Sequence, residues 1–218
     1  MRVVERDYTP AAPKLWIYDA LVVVLALGPR WRAALLAQVA PREGDVIADV
    51  GCGTGTQLVK FGRAAPGVTL IGIDPDPDVL VRARRKLARA RVVAGLTRGY
   101  ARDAEALLRD RDVNKIASSL MFHQVPLAEK EAGLAAMRGA LVPGGELHVA
   151  DYGLQRTPLM RKLFRVVQAG DGYEDTEPNA RGVLPELMER VGFARVREAA
   201  VIATPTGSIS LYRAERGR

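Results

Sequence analysis

Three glycines at alternate positions, Gly51, Gly53 and Gly55, follow Asp49 and the apolar run Val46-Ile47-Ala48, with Thr54 between the last two. A buried strand, a glycine turn and a helix start, in that order, form a cradle for a nucleotide-like cofactor at the edge of an open α/β sheet. Glycine allows the tight turn and lets a ligand approach the backbone with no Cβ in the way. Free N–H groups at the helix start suit an anionic group, including the carboxylate of an amino-acid-like ligand. The dinucleotide fingerprint needs a further glycine at position 56, where Thr56 stands, and this argues against a nicotinamide cofactor.

Further chemistry-bearing residues sit at the ends of later apolar runs. Thr69-Leu70-Ile71-Gly72-Ile73 reads as a second buried strand closing on Asp74-Pro75. A carboxylate there can accept hydrogen bonds from both hydroxyls of a ribose, and proline stops the strand behind it. Tyr100 to Leu107 reads as the end of a third strand or a loop, where Asp103 could meet the amino group of an adenine. Val113 to Leu120 reads as a fourth strand running into His123-Gln124. His123, on the carboxyl edge of the sheet, is a candidate general base or substrate contact, with packing as the alternative. His148, inside a fifth strand, reads as structural. Asp151 ends that strand and could touch substrate or a metal. No second acid or amide can be placed beside it, so no metal is expected.

These groups must be positioned by a helical cap at about 10–40 and by strands alternating with helices to about 151. A helix from Pro158 to Ala169, a polar loop from Gly170 to Asn179 and a short helix from Val183 to Val191, ended by Gly192, come next. Two strands, about Arg195–Ala203 and Ser208–Ala214, close the chain as a hairpin across Thr204-Pro205-Thr206-Gly207.

DVGCGTG, the acid of IGIDPD, RDAEAL, SSLMFHQV and LVPGGELHVADY occur in one order, preceded by Tyr18-Asp19 and Trp31-Arg32. In these features the chain resembles the class I S-adenosylmethionine-dependent methyltransferases, in the branch that includes the ubiquinone/menaquinone C-methyltransferases. The resemblance covers roughly Tyr18 to Asp151. It implies an α/β fold with a doubly wound, Rossmann-like, seven-stranded and mostly parallel sheet whose last strand is antiparallel. It implies S-adenosyl-L-methionine as cofactor. Asp49 and the turn of Gly51, Gly53, Thr54 and Gly55 would hold its methionine half, Asp74 its ribose, and Pro75 the flank of its adenine. Asp103 and Ala104 would read the adenine amino edge, Ser119 would lie beside the sulfonium, and Tyr18 would close over the cofactor. The sequence departs from the family at Val113-Asn114-Lys115 and at His123-Gln124, where many relatives carry paired histidines.

A chain of 218 residues suits one domain over 1–218, divided into the cap (about 1–40), a cofactor-binding core (about 41–151) and substrate-side helices with the final hairpin (about 152–218). The single cysteine, Cys52, rules out an intramolecular disulfide and leaves no cysteine nucleophile outside the cofactor turn. The net charge of +7 concentrates in Arg82, Arg84, Arg85, Lys86, Arg89 and Arg91, which read as the solvated face of one helix. Aromatics are 6% and do not interleave with those arginines, so no base-stacking platform and no nucleic-acid partner is expected. The apolar run Leu15 to Leu27 contains Asp19 and falls short of the roughly 20 residues that cross a bilayer. A buried cap helix, a lid over an apolar substrate and a shallow membrane contact remain open for it. Tyr8 could also cover the cofactor, and Tyr173 could touch substrate from the polar loop. The first ten residues carry no apolar targeting run, and a reducing cytoplasm is expected.

The expected function is methyl transfer to a small or lipid-like molecule. The alternatives are a catalytically degenerate binding module, a nucleic-acid methyltransferase and a nicotinamide-dependent oxidoreductase. Acceptor identity, the element methylated and the oligomeric state stay open.

Overall fold

Aliphatic runs ended by Gly, Pro or Asp become the strands, and the amphipathic stretches between them become the covering helices. The computed structural model describes residues 29–218. Its elements are α1 (Pro29–Val39), β1 (Val46–Val50), α2 (Thr56–Ala64), β2 (Thr69–Asp74), α3 (Pro77–Ala90), β3 (Gly95–Arg98) and α4 (Ala104–Leu107). They continue with β4 (Lys115–Ser119), α5 (Leu127–Ala140), β5 (Glu146–Tyr152), α6 (Pro158–Asp171), α7 (Tyr173–Ala180), α8 (Val183–Arg190), β6 (Phe193–Thr204) and β7 (Gly207–Arg216).

The seven strands form one sheet in the order β3-β2-β1-β4-β5-β7-β6. β1 to β5 pair in parallel, and β7 alone runs against them, between β5 and β6. This is the doubly wound, mostly parallel sheet with an antiparallel last strand that the motif order implies. The strand order reverses between β1 and β4, and the carboxyl ends of strands flanking such a switch point are where open α/β sheets bind ligands.

Side chains alternate across each strand and divide the core in two. Ile47 of β1 packs with Trp31, Leu35, Leu58, Phe61 and Leu87 from α1, α2 and α3. Ala48 and Val50 face the opposite core, with Leu134 and Met137 of α5 and Leu184 and Leu187 of α8. Asp49 therefore shares the face of Ile47, under α1 and α2. α3 begins with Asp76 accepting from the N–H groups of Asp78 and Val79 and with Pro77 at its first position. α6 begins the same way, with Thr157 accepting from Met160 N and Pro158 following.

One expectation is corrected. The polar stretch 170–179 is not a loop: α6 runs on to Asp171, Gly172 caps it, and Tyr173 onward forms α7, although that helix holds Pro178. Composition alone argues for a loop, because Gly, Pro and Asn punctuate it. Tertiary bonds override that preference: Thr176 and Asn179 are fully buried, and Asn179 Nδ2 donates to Tyr152 O at 3.1 Å. The third strand is also earlier than Tyr100, and Ala101–Asp103 is a single 3₁₀ turn leading into α4. The apolar run Leu15 to Leu27, Tyr8 and Tyr18 lie outside the described residues.

Candidate functional site

Gly51, Gly53 and Gly55 have φ of +74°, +53° and +75°, values that side chains with a Cβ rarely adopt. The turn is pinned to β2 from below: Gly51 N and Cys52 N both donate to Ile73 O, at 2.8 and 3.0 Å. It is pinned from the side by Asp74, whose Oδ2 accepts from Gly53 N at 2.9 Å while Oδ1 accepts from Asp76 N at 3.0 Å. Lys86 of α3 reaches over the turn and donates to Thr54 Oγ1 at 2.6 Å and Thr56 Oγ1 at 2.8 Å. A Cβ built on Gly53 would meet nothing within 4 Å, so the top of the turn is an open cradle.

Beneath this cradle several polar groups are buried without partners among the described residues. Asp49 is 1% exposed and neither of its carboxylate oxygens has a hydrogen bond among the described residues. Burial, and then the negative charge of Asp74, push its carboxyl up to about 7, against the opposing pull of Arg32. Gln57, at the start of α2, has both side-chain heteroatoms unpaired, and so has Nε of Arg32 on α1. An unpaired buried carboxylate costs free energy on the order of kcal/mol, and a ligand cation beside it would recover much of that cost. Burial also pushes the Cys52 thiol up, so the single cysteine is not a nucleophile in this turn.

The carboxyl end of β4 is built in the opposite manner. Asp151 of β5 accepts at Oδ2 from Met121 N (3.0 Å) and Phe122 N (2.7 Å), and at Oδ1 from Tyr152 N (2.7 Å). His123, 3% exposed, sets Nδ1 2.7 Å from Asp151 Oδ1, and its Nε2 lies 3.3 Å from Oδ2 of Asp171, the last residue of α6. Burial alone would lower the imidazole pKa. The charges of Asp151 and Asp171 and their hydrogen bonds outweigh it and raise the pKa to about 9. Lys130 of α5 is fully buried and donates to the carbonyls of Phe122, Val125 (2.6 Å) and Asp175 (2.9 Å), tying α5, the post-β4 turn and α7 together. The two ends adjoin: a Cβ on Gly51 would fall 2.7 Å from Met121 Cγ.

The structure thus brings Asp49, Gly51, Gly53, Thr54, Gly55 and Asp74 into one turn. Pro75 follows Asp74, with its carbonyl accepting from Arg98 Nε at 3.1 Å. Asp103 caps its 3₁₀ turn through Tyr100 N at 3.0 Å, and Ala104 is buried behind it. Ser119 is half-buried at the end of β4, paired with Ala150. Asp151 is spent on the post-β4 turn and His123, so its expected substrate or metal contact has no oxygen left uncommitted. His148 is buried against Gln38 and Glu146, a structural position.

Four residues escape the motif reading. Lys86 reads as part of a solvated arginine run, yet it packs inward. Its place one residue before the buried Leu87 and three after the buried Ala83 was the available signal. Arg32 was visible only as part of the Trp31-Arg32 pair, with no role attached, and Lys130 and Asp171 have no local signature, because their partners come from distant elements.

Residues 47–145 match the family model described as Methyltransferase domain. The demethylmenaquinone methyltransferase of Deinococcus radiodurans is 29% identical over 98% of this chain and 88% of its own. The ubiquinone/menaquinone biosynthesis C-methyltransferase UbiE of Shewanella halifaxensis is 24% identical over 82% of this chain and 79% of its own. Among solved structures, human N-acetylserotonin methyltransferase in complex with SAM aligns with a TM-score of 0.64 at 16% identity, over 94% of this chain and 56% of that one, a likeness of fold. With the glycine turn, the strand-end acids and the seven-stranded sheet in place, the chain is an S-adenosylmethionine-dependent methyltransferase, similar at low identity to the ubiquinone/menaquinone C-methyltransferases.

Proposed function

We propose that this enzyme methylates a ring carbon of a small, lipid-like quinol, acting as one domain over residues 1–218 in the cytoplasm. The acceptor class is supported by relatives named for demethylmenaquinone and for ubiquinone and menaquinone biosynthesis. No helix among the described residues is long and apolar enough to cross a membrane, so an acceptor of this class would be met at a membrane surface or free in solution.

The observation that carries the cofactor assignment is the unpaired carboxylate of Asp49 under the open Gly53 cradle. The ammonium of a methionine-like group supplies the cation this carboxylate lacks. Thr54 and Lys86 stand by for its carboxylate. Asp74, already fixed by Gly53 N and Asp76 N, keeps lone pairs for ribose hydroxyls. Pro75, Asp103 and Ala104 would line the adenine, Ser119 the sulfonium, and Tyr18 the cover.

When bound, S-adenosylmethionine supplies a methyl group already activated on sulfur, so the protein's work is to align the acceptor and exclude water. Phe122 and Tyr152 are buried beside this end, one in each of the two cores, and keep it apolar. His123, charged between two carboxylates, is a fixed post there, not a free base.

A thermal-shift series with S-adenosylmethionine, S-adenosylhomocysteine, NADH and NADPH tests the cofactor half. At a hundredfold excess over Kd a true ligand adds about 2.7 kcal/mol, or roughly 5–10 °C for a chain of this size. The adenosyl ligands should shift the melting point and the nicotinamides should not. Methyl incorporation into reduced 1,4-naphthohydroquinone tests the acceptor half, and product confined to oxygen would overturn ring-carbon transfer.

A further inference from the structure

Ring-carbon methylation releases one proton, and the polar groups around His123 indicate where it goes. His123 presents a nitrogen to each of two carboxylates and, with its pKa at about 9, holds both protons near neutral pH. It has no lone pair to offer. Asp151 is also spent, since both of its oxygens accept backbone N–H groups and one also meets the imidazole. Asp171 differs from both. Its side chain is 27% exposed, one oxygen meets His123, and the other has no hydrogen bond among the described residues.

The placement of Asp171 is costly for the helix that bears it. An acid as the last residue of a helix opposes the helix dipole. α6 has no basic residue in its last turn to compensate. The compensating cation comes from His123 in a different element, and Tyr152, edge-on to the imidazole at 5.0 Å between centroids, holds that ring in place. The other charged groups around this corner are Lys130 of α5, on the carbonyls of the same turn, and Asp175 of α7. The corner also adjoins the cofactor turn, because Met121, two residues before His123, packs against Gly51.

We propose that Asp171 is the carboxylate that accepts the acceptor's proton, and that His123 is the positioning residue holding it, itself locked by Asp151. The inference rests on the quinol reading above. The new C–C bond forms as the S–CH₃ bond breaks with its electron pair left on sulfur. The C–H bond at the methylated ring carbon then gives its electron pair back to the ring and its proton to Asp171. The partly exposed acid passes that proton to water, and no oxidant or reductant is consumed.

Two measurements on the full chain test this. The first is ¹⁵N NMR of the imidazoles, of which there are two, with His148 distinguished by its lowered pKa. At pH 7.5 both nitrogens of His123 should be protonated, and Asp171→Asn should move its midpoint down while Lys162→Gln should not. A neutral His123 at that pH would overturn the proposal. The second is turnover of reduced 1,4-naphthohydroquinone with S-adenosylmethionine. Asp171→Asn should lower kcat on the order of 100- to 1000-fold, leave the S-adenosylmethionine thermal shift intact, and be partly rescued by Asp171→Glu. Full turnover by Asp171→Asn sinks the proposal alone. An inert wild type sinks the quinol reading and the proton-acceptor role with it, while the NMR result still decides whether His123 is a charged post.

Discussion

The two halves of the site handle their buried polar groups in opposite ways. Around the glycine turn, Asp49, Gln57 and Arg32 Nε are buried and unpaired among the described residues. Around the post-β4 turn, Asp151, His123 and Lys130 are buried and almost fully engaged. Unpaired buried groups destabilise a fold until a ligand arrives, whereas engaged ones stiffen it beforehand. The cofactor end is thus prepared to gain by binding, and the acceptor end is a preset frame. Substitutions at the two ends should therefore move stability in opposite directions.

The largest effect is expected at the preset end. Lys130→Met leaves the carbonyls of Phe122, Val125 and Asp175 without their donor and should cost about 3 kcal/mol, read as a fall in Tm of roughly 6–12 °C. A variant as stable as wild type would erase the contrast between the halves.

His123 supplies a pH-dependent version of the same test. Its folded pKa of about 9 stands above the ordinary 6.5, so its contribution is complete below pH 6.5 and is lost as pH rises through about 9. The contribution is about 3 kcal/mol at most. Lys130, lowered to about 8, works the other way, because above that pH the unfolded chain holds the extra proton. The informative quantity is therefore the stability gap between wild type and His123→Gln, which should narrow between pH 6.5 and 9. A constant gap would mean that the imidazole is not charged in the fold.

At the cofactor end the sign reverses. Asp49→Asn removes a buried carboxylate that is raised to about 7, and should stabilise the ligand-free protein above that pH by about 1–2 kcal/mol. The same change should abolish most of the thermal shift with S-adenosylmethionine. Loss of both stability and shift would mean that Asp49 is a framework residue. In wild type, affinity should weaken as pH falls below about 7, when Asp49 takes up a proton. Lys86→Met is the mildest case: about tenfold weaker cofactor binding, roughly 1.4 kcal/mol, with stability within about 0.5 kcal/mol of wild type.

This difference between the halves also governs how much of each was legible beforehand. The glycine turn and Asp74 are visible in the sequence because their work depends on local backbone geometry: positive φ at Gly51, Gly53 and Gly55, and an acid at the end of β2. The acceptor end is nearly invisible. Asp171 lay near the start of a stretch whose Gly, Pro and Asn content reads as a loop, whereas it ends α6, and the rest of the stretch is helical in α7, where Thr176 and Asn179 are buried against distant elements.

The sequence by itself determined the α/β alternation, the final hairpin, the cofactor turn and the resemblance to the methyltransferases. Each of these follows from periodicity, turn chemistry or contiguous motifs, which act over a few residues. Only the tertiary structure decided that Lys86 meets Thr54 and Thr56, that His123 sits between Asp151 and Asp171, and that Lys130 ties α5 to α7. Those pairings join residues far apart in sequence, and they form where packing leaves charged groups in a low-dielectric interior with one another as the available partners.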